Sequence, residues 1–90
     1  MLRTIIPQFH HYIPEELKEG FLYISMEFGT AVHKCCCGCK REVVTPLGTG
    51  WWTLTVKNDL VSLTPSISSY QLPCKSHYLI KNNEIEWLIE

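Results

Sequence analysis

Ninety residues with 46% hydrophobic and 11% aromatic content are enough for one domain with an apolar core, spanning 1–90, and exclude a disordered chain. Eight Lys and Arg against nine Asp and Glu give a formal net charge of -1, which leaves no cationic footprint for a phosphate backbone, so no nucleic acid is expected as a partner. The longest apolar runs, such as Phe21 to Ile24, fall far short of a bilayer span, and no membrane is expected either.

In chain order, Leu2 to Ile13 carries strand formers (Thr4, Ile5, Ile6, Phe9, Tyr12, Ile13) interrupted by Pro7, which predicts an edge strand or extended arm. Pro14-Glu15-Glu16-Leu17-Lys18-Glu19-Gly20 places proline first, acids in the first turn and glycine last, so one or two turns of helix are expected there. Phe21 to Met26 reads as a buried strand, and a second strand, Glu42 to Pro46, follows a turn at Gly38. Trp51 to Val56 alternates, with Trp52, Leu54 and Val56 on one face, and Lys57-Asn58-Asp59 turns it into Leu60 to Leu63 as a hairpin. Thr64 to Ser69 reads as a polar loop. A closing hairpin runs from His77 to Ile80 through Lys81-Asn82-Asn83 to Glu84 to Ile89. The fold class expected is mainly β, with a small α+β variant possible: a compact antiparallel domain built around a zinc site, with one short N-terminal helical turn.

The chemistry concentrates in His33-Lys34-Cys35-Cys36-Cys37-Gly38-Cys39 and Cys74-Lys75-Ser76-His77. Thiolate and imidazole together suit zinc, which accepts tetrahedral sites built from two chain segments. If the first stretch is extended, alternation puts His33, Cys35 and Cys37 on one face and Cys36 on the other, and Gly38 lets Cys39 turn back. Pro73 fixes the approach to Cys74, and Cys-x-x-His resembles half of a zinc-finger site. The candidate ligands are therefore His33, Cys35, Cys37, Cys39, Cys74 and His77, with Cys36 set aside. Six candidates exceed four positions: four protein ligands would make the site structural, three and a water catalytic. An odd cysteine count, three adjacent thiols too close for mutual disulfides, and no signal-peptide pattern predict a reducing cytoplasm.

A catalytic zinc needs a base beside its water, and Glu27, preceding the metal segment on the parity of His33, is the best-placed carboxylate. Its ordinary fate would be a surface glutamate on a β edge. Ser76, between Cys74 and His77, is the candidate for stabilising an oxyanion, with Thr30 as a substitute, although each would serve equally as a turn residue. His10 and His11 are adjacent in an extended segment, face opposite ways and read as surface residues. His33-x-Cys35 with Pro73-Cys74-x-x-His77 loosely echoes zinc deaminases, but Cys35 stands where their essential glutamate belongs.

The chain resembles bacterial domain-of-unknown-function family 6527 through Leu22-Tyr23-Ile24-Ser25, Thr30 to Cys39, Val43 to Leu47, Trp52-Thr53-Leu54, Val61 to Ile67 and Cys74 to Ile80. Members often carry proline at the position of Cys36, glycine at that of Lys40 and an aromatic at that of Leu79. The family is encoded beside ubiquitin-like proteins and their activating (E1-like) and conjugating (E2-like) enzymes in operons linked to phage defence. The resemblance implies a zinc-dependent peptidase; together with the residues above, the expectation is that a zinc-bound water attacks the C-terminal tail of a bacterial ubiquitin-like protein, with Glu27 as base and Ser76 or Thr30 at the oxyanion. The competing expectation is a non-catalytic zinc-stabilised module that docks the ubiquitin-like protein or its E1- or E2-like enzymes, with Trp51, Trp52 and Trp87 as anchors.

Overall fold

The computed structural model describes residues 1–68 and 74–88. Its strands are β1 (Ile6–Phe9), β2 (Phe21–Ser25), β3 (Thr30–Lys34), β4 (Glu42–Pro46), β5 (Thr53–Lys57), β6 (Leu60–Ser68), β7 (His77–Lys81) and β8 (Glu84–Trp87). They form two four-stranded sheets in sequence order, β1-β2-β3-β4 and β5-β6-β7-β8. Among the described residues, β1 and β2 are the one parallel strand pair, and the other neighbouring strands pair antiparallel.

The two hairpins of the second sheet follow from their turn residues. Asn58-Asp59 and Asn82-Asn83 adopt positive φ, between 50° and 65°, which asparagine and aspartate tolerate and which two-residue hairpin turns require. Alternation then sends Val61 and Leu63 of β6, Tyr78 and Ile80 of β7, and Ile85 of β8 inward. They share one core with Leu22 and Ile24 of β2, Ala31 of β3, and Ile5, Cys35 and Cys36. Each fully buried Leu, Ile or Val contributes about 1.5–3 kcal/mol. The N-terminal segment fastens the sheets together: Ile5 N–H donates to Asn83 O at 2.8 Å and Ile85 N–H to Arg3 O at 2.7 Å.

Two elements differ from expectation. Pro14 to Gly20 forms no helix but wraps as an irregular strap over β2. Seven residues are too few to offset helix nucleation, since isolated helices below about 12–15 residues are marginal. The sheet holds the strap instead: Lys18 N–H donates to Tyr23 OH at 3.0 Å, and just before the strap His11 O accepts from Ser25 Oγ at 2.8 Å. This cover explains why Leu22 through Ser25 are all buried rather than alternating.

The second departure is at Thr64 to Ser68, which continues β6 instead of forming a loop. Leu63 pairs with Ile80 and Ile67 with Tyr78, so Thr64, Pro65 and Ser66 stand opposite Leu79 alone. Pro65 has no N–H for the ladder, and the strand bulges there, which re-aims the side chains beside it. Ser69 and Pro73, the end of that expected loop and the approach to Cys74, lie outside the described residues, as does Ile89.

A serine–histidine pair beside a four-thiol cluster

The metal segments do come together, with a smaller ligand set than the sequence offers. The Sγ atoms of Cys35, Cys37, Cys39 and Cys74 all lie within 4.8 Å of one another and could hold a metal ion. Strand β3 ends at Lys34, and the chain then turns through Cys36 to Cys39 with Gly38 at φ 94°. Gly38 N–H donates to Cys35 O at 3.2 Å and Cys39 N–H to Cys37 Sγ at 3.3 Å, so backbone donors hold this loop and one of its sulfurs. Cys74 enters from the second half of the chain, 3.7 Å from Cys35 Sγ and 3.8 Å from Cys39 Sγ. Burial pushes the Cys35 thiol up to about 12. Burial also raises Cys74, but hydrogen bonds from the Ser76 hydroxyl and backbone, with those of Cys37 and Cys35, outweigh it and leave Cys74 at about 6. Four thiols this close cannot all ionise by themselves, whereas a cation among them would deprotonate the set.

The structure does not place His33 or His77 in this group. Alternation holds only as far as β3 extends, and His33, fully buried, turns into the core, where its Nε2 is 2.7 Å from Tyr78 OH. Burial depresses the His33 imidazole to about 4, so it stays neutral at pH 7. Its Nδ1 is buried with no partner. Tyr78→Phe would leave both ring nitrogens unpaired, and we expect it to cost about 1–3 kcal/mol in urea unfolding. An unchanged midpoint would show that this hydrogen bond contributes nothing. Cys36 also packs in the core, hydrogen-bonded to Tyr78, and stays outside the thiol group.

Neither expected catalytic residue stands where that role requires. Glu27 lies in the β2–β3 turn, at the opposite end of β3 from Cys35, with the five-residue strand, roughly 17 Å, between them. Its carboxylate is exposed and paired with the His11 imidazole, so it cannot act on water at the thiol cluster. Ser76 is buried, and its hydroxyl serves the sulfurs of Cys35 and Cys74. Thr30 opens β3 at the far end, beside Ser25 and Pro46.

Sequence reasoning missed a different constellation. His77 opens β7 and pairs with Ser68, which places Ser66, two residues earlier, diagonally across from it on the same face. Ser66 Oγ lies 2.9 Å from His77 Nε2, within reach for a hydroxyl to pass its proton to an imidazole. Both side chains are half-buried, open enough for a substrate yet partly shielded from water. The signal was present in the sequence as Pro65-Ser66 followed by a histidine 11 residues later, but Cys-x-x-His assigned that histidine to metal.

No curated protein and no solved structure matches the chain. A family model described as bacterial ubiquitination-like system serine protease (BubE) matches residues 9–88. That description overturns the expectation of a zinc-dependent peptidase: the hydrolytic nucleophile of the family is a serine hydroxyl, not a metal-bound water. The competing idea of a non-catalytic docking module gains nothing from a family of proteases. The ubiquitin-like pathway implied by the sequence resemblance is retained, and with a match over nearly its whole length the chain belongs to the bacterial ubiquitination-like system serine protease family, BubE.

Proposed function

We propose that this protein is a serine protease that cuts at the C-terminal tail of a ubiquitin-like protein, with Ser66 as nucleophile and His77 as general base. The 2.9 Å Ser66 Oγ to His77 Nε2 contact carries this reading. Ser66 Oγ attacks the carbonyl carbon while His77 Nε2 takes its proton. Collapse of the tetrahedral intermediate breaks the C–N bond, and His77 returns the proton to the departing amine. Water, deprotonated by the same imidazole, then attacks the acyl-serine ester, and the proton passes back to Ser66 Oγ as the tail carboxylate leaves. The bulge at Pro65 supports the assignment, because such irregularities recur beside active sites where a side chain must be presented out of the regular pleat.

The thiol cluster completes the reading as a structural zinc site held by Cys35, Cys37, Cys39 and Cys74. Zn–S bonds of about 2.3 Å set the edge of a tetrahedron near 3.8 Å. The Cys35–Cys37, Cys35–Cys74 and Cys39–Cys74 sulfur separations are 3.5, 3.7 and 3.8 Å. Four thiolates leave no position for water, so the ion would supply charge neutralisation and cross-linking, not hydrolysis. Cys74 is three residues before His77, and the cluster thereby fixes the start of β7 where the imidazole stands.

An alkyl fluorophosphonate tests the nucleophile directly. Peptide mapping is expected to find the adduct on Ser66, with none formed after His77→Ala. Modification of another serine, or equal labelling without His77, would remove Ser66 from its role.

A further inference from the structure

We propose that the hollow formed by Gly50, Trp51, Trp52 and Pro65 is the specificity pocket of this protease and receives an apolar side chain of the extended peptide substrate. This rests on Ser66 as nucleophile. The hollow has a volume of about 260 Å³. Sites for whole small molecules run to roughly 300–1,000 Å³, so this one suits a single side chain. Its walls are two indoles, a proline ring and a glycine, with no ionisable group, and such a lining favours an aliphatic or aromatic residue over a charged one.

Position links the hollow to catalysis. Pro65 forms one wall and is the residue next to Ser66. Pairing of β5 with β6 stops at Thr53 opposite Thr64, so residues 65–68 have no strand partner on that side among the described residues. Trp52, which would continue the ladder, is drawn away: its N–H donates to Pro46 O at 3.0 Å and its carbonyl accepts from Gly48 N–H at 2.9 Å. The bared β6 edge therefore begins at the nucleophile and borders the two tryptophans. A peptide added to that edge as a strand would direct alternate side chains to opposite faces, and one of them would meet the hollow. Trp51 is 60% exposed although it is the largest apolar side chain available, as expected for a wall that is covered only when substrate is bound. Trp52 Nε1 is buried without an acceptor, an unspent donor on the same wall.

Two phosphonate probes separate this inference from the nucleophile assignment. An alkyl fluorophosphonate bearing only methyl groups, too short to fill the hollow, reads Ser66 alone, while peptidyl diphenyl phosphonates, carrying Gly, Asp, Leu or Phe at each of the two residues nearest the phosphorus, read Ser66 and the pocket together. At one of those positions Leu or Phe is expected to react roughly tenfold or more faster than Gly or Asp. Trp51→Ala should erase that preference while leaving the alkyl fluorophosphonate rate within about twofold, and Trp51→Phe should restore it. If the alkyl probe labels Ser66 normally but the side-chain preference is flat, or survives Trp51→Ala, the pocket is overturned and the nucleophile stands. Failure of the alkyl probe to label Ser66 in the native protein sinks the nucleophile, and the pocket with it.

Discussion

Ser66→Ala is expected to lower kcat for cleavage of a tail-extended ubiquitin-like protein by a factor on the order of 10⁴ to 10⁶, with the melting temperature unchanged. Ser66 lies at a strand bulge and is half-buried, so losing its hydroxyl removes one contact, to His77, and opens no cavity of consequence. His77→Ala should cost a similar factor, and the double variant should be little worse than either, because the two groups act as one unit. Glu27→Gln, by contrast, should leave the rate within about threefold, since that carboxylate is paired with His11 at the far end of the hairpin. Mass spectrometry of the released tail fragment measures all four variants. Wild-type turnover by Ser66→Ala would move the nucleophile to another serine, and a collapse of turnover in a folded Glu27→Gln protein would overturn the assignment of that carboxylate to a surface pair with His11.

Removing the zinc proposed at the four thiols is expected to unfold the protein rather than simply stop its chemistry. Structural zinc in small domains carries apparent binding free energies of about 10–16 kcal/mol, as large as the whole stability of a typical domain, about 5–15 kcal/mol. Three of the four thiols follow β3 and the fourth precedes β7, so the cluster joins the two halves of the chain at the margin of their apolar core, which Cys35 enters. A strong chelator should lower the thermal midpoint by tens of degrees, and Cys74→Ser should do the same. Elemental analysis should find one zinc per chain. Fluorophosphonate labelling of Ser66 should fall in step with the folded fraction followed by circular dichroism. A chelated protein that keeps its fold and thermal midpoint would show that the thiol cluster carries no structural metal.

Much of the fold was legible because its signals are local. Asn58-Asp59 and Asn82-Asn83 announce their hairpins by residue type, and the apolar alternation of β6 up to Leu63 and of β7 follows from the pleat. Composition also drew attention to the cysteines, four of which converge. Legibility ended where tertiary contacts decide. Pro14 to Gly20 has helix punctuation, yet so short a helix is marginal by itself, and β2 holds the segment through Lys18 N–H on the Tyr23 hydroxyl instead. The parity that grouped His33 with Cys35 and Cys37 required a strand extending past Lys34, and the turn at Gly38 ended it. Ser66 and His77 are brought together by a register shift of β6 on β7, and no spacing in the sequence encodes a register. Pro65, the residue that makes the bulge, also made the segment read as a loop.

The link at Gly48-Thr49-Gly50 divides the chain into two stretches of comparable length, each folding into its own sheet of consecutive strands. Ser66, His77 and three walls of the pocket, Trp51, Trp52 and Pro65, all belong to the second stretch, while the first contributes three sulfurs, half the core and the strap. The labour is thus partitioned along the chain. Mutational drift in β1 to β4 bears on whether the fold exists at all, whereas drift at the exposed Trp51 and Pro65 would bear on what the proposed pocket accepts, leaving the core residues of both sheets and Cys74 untouched.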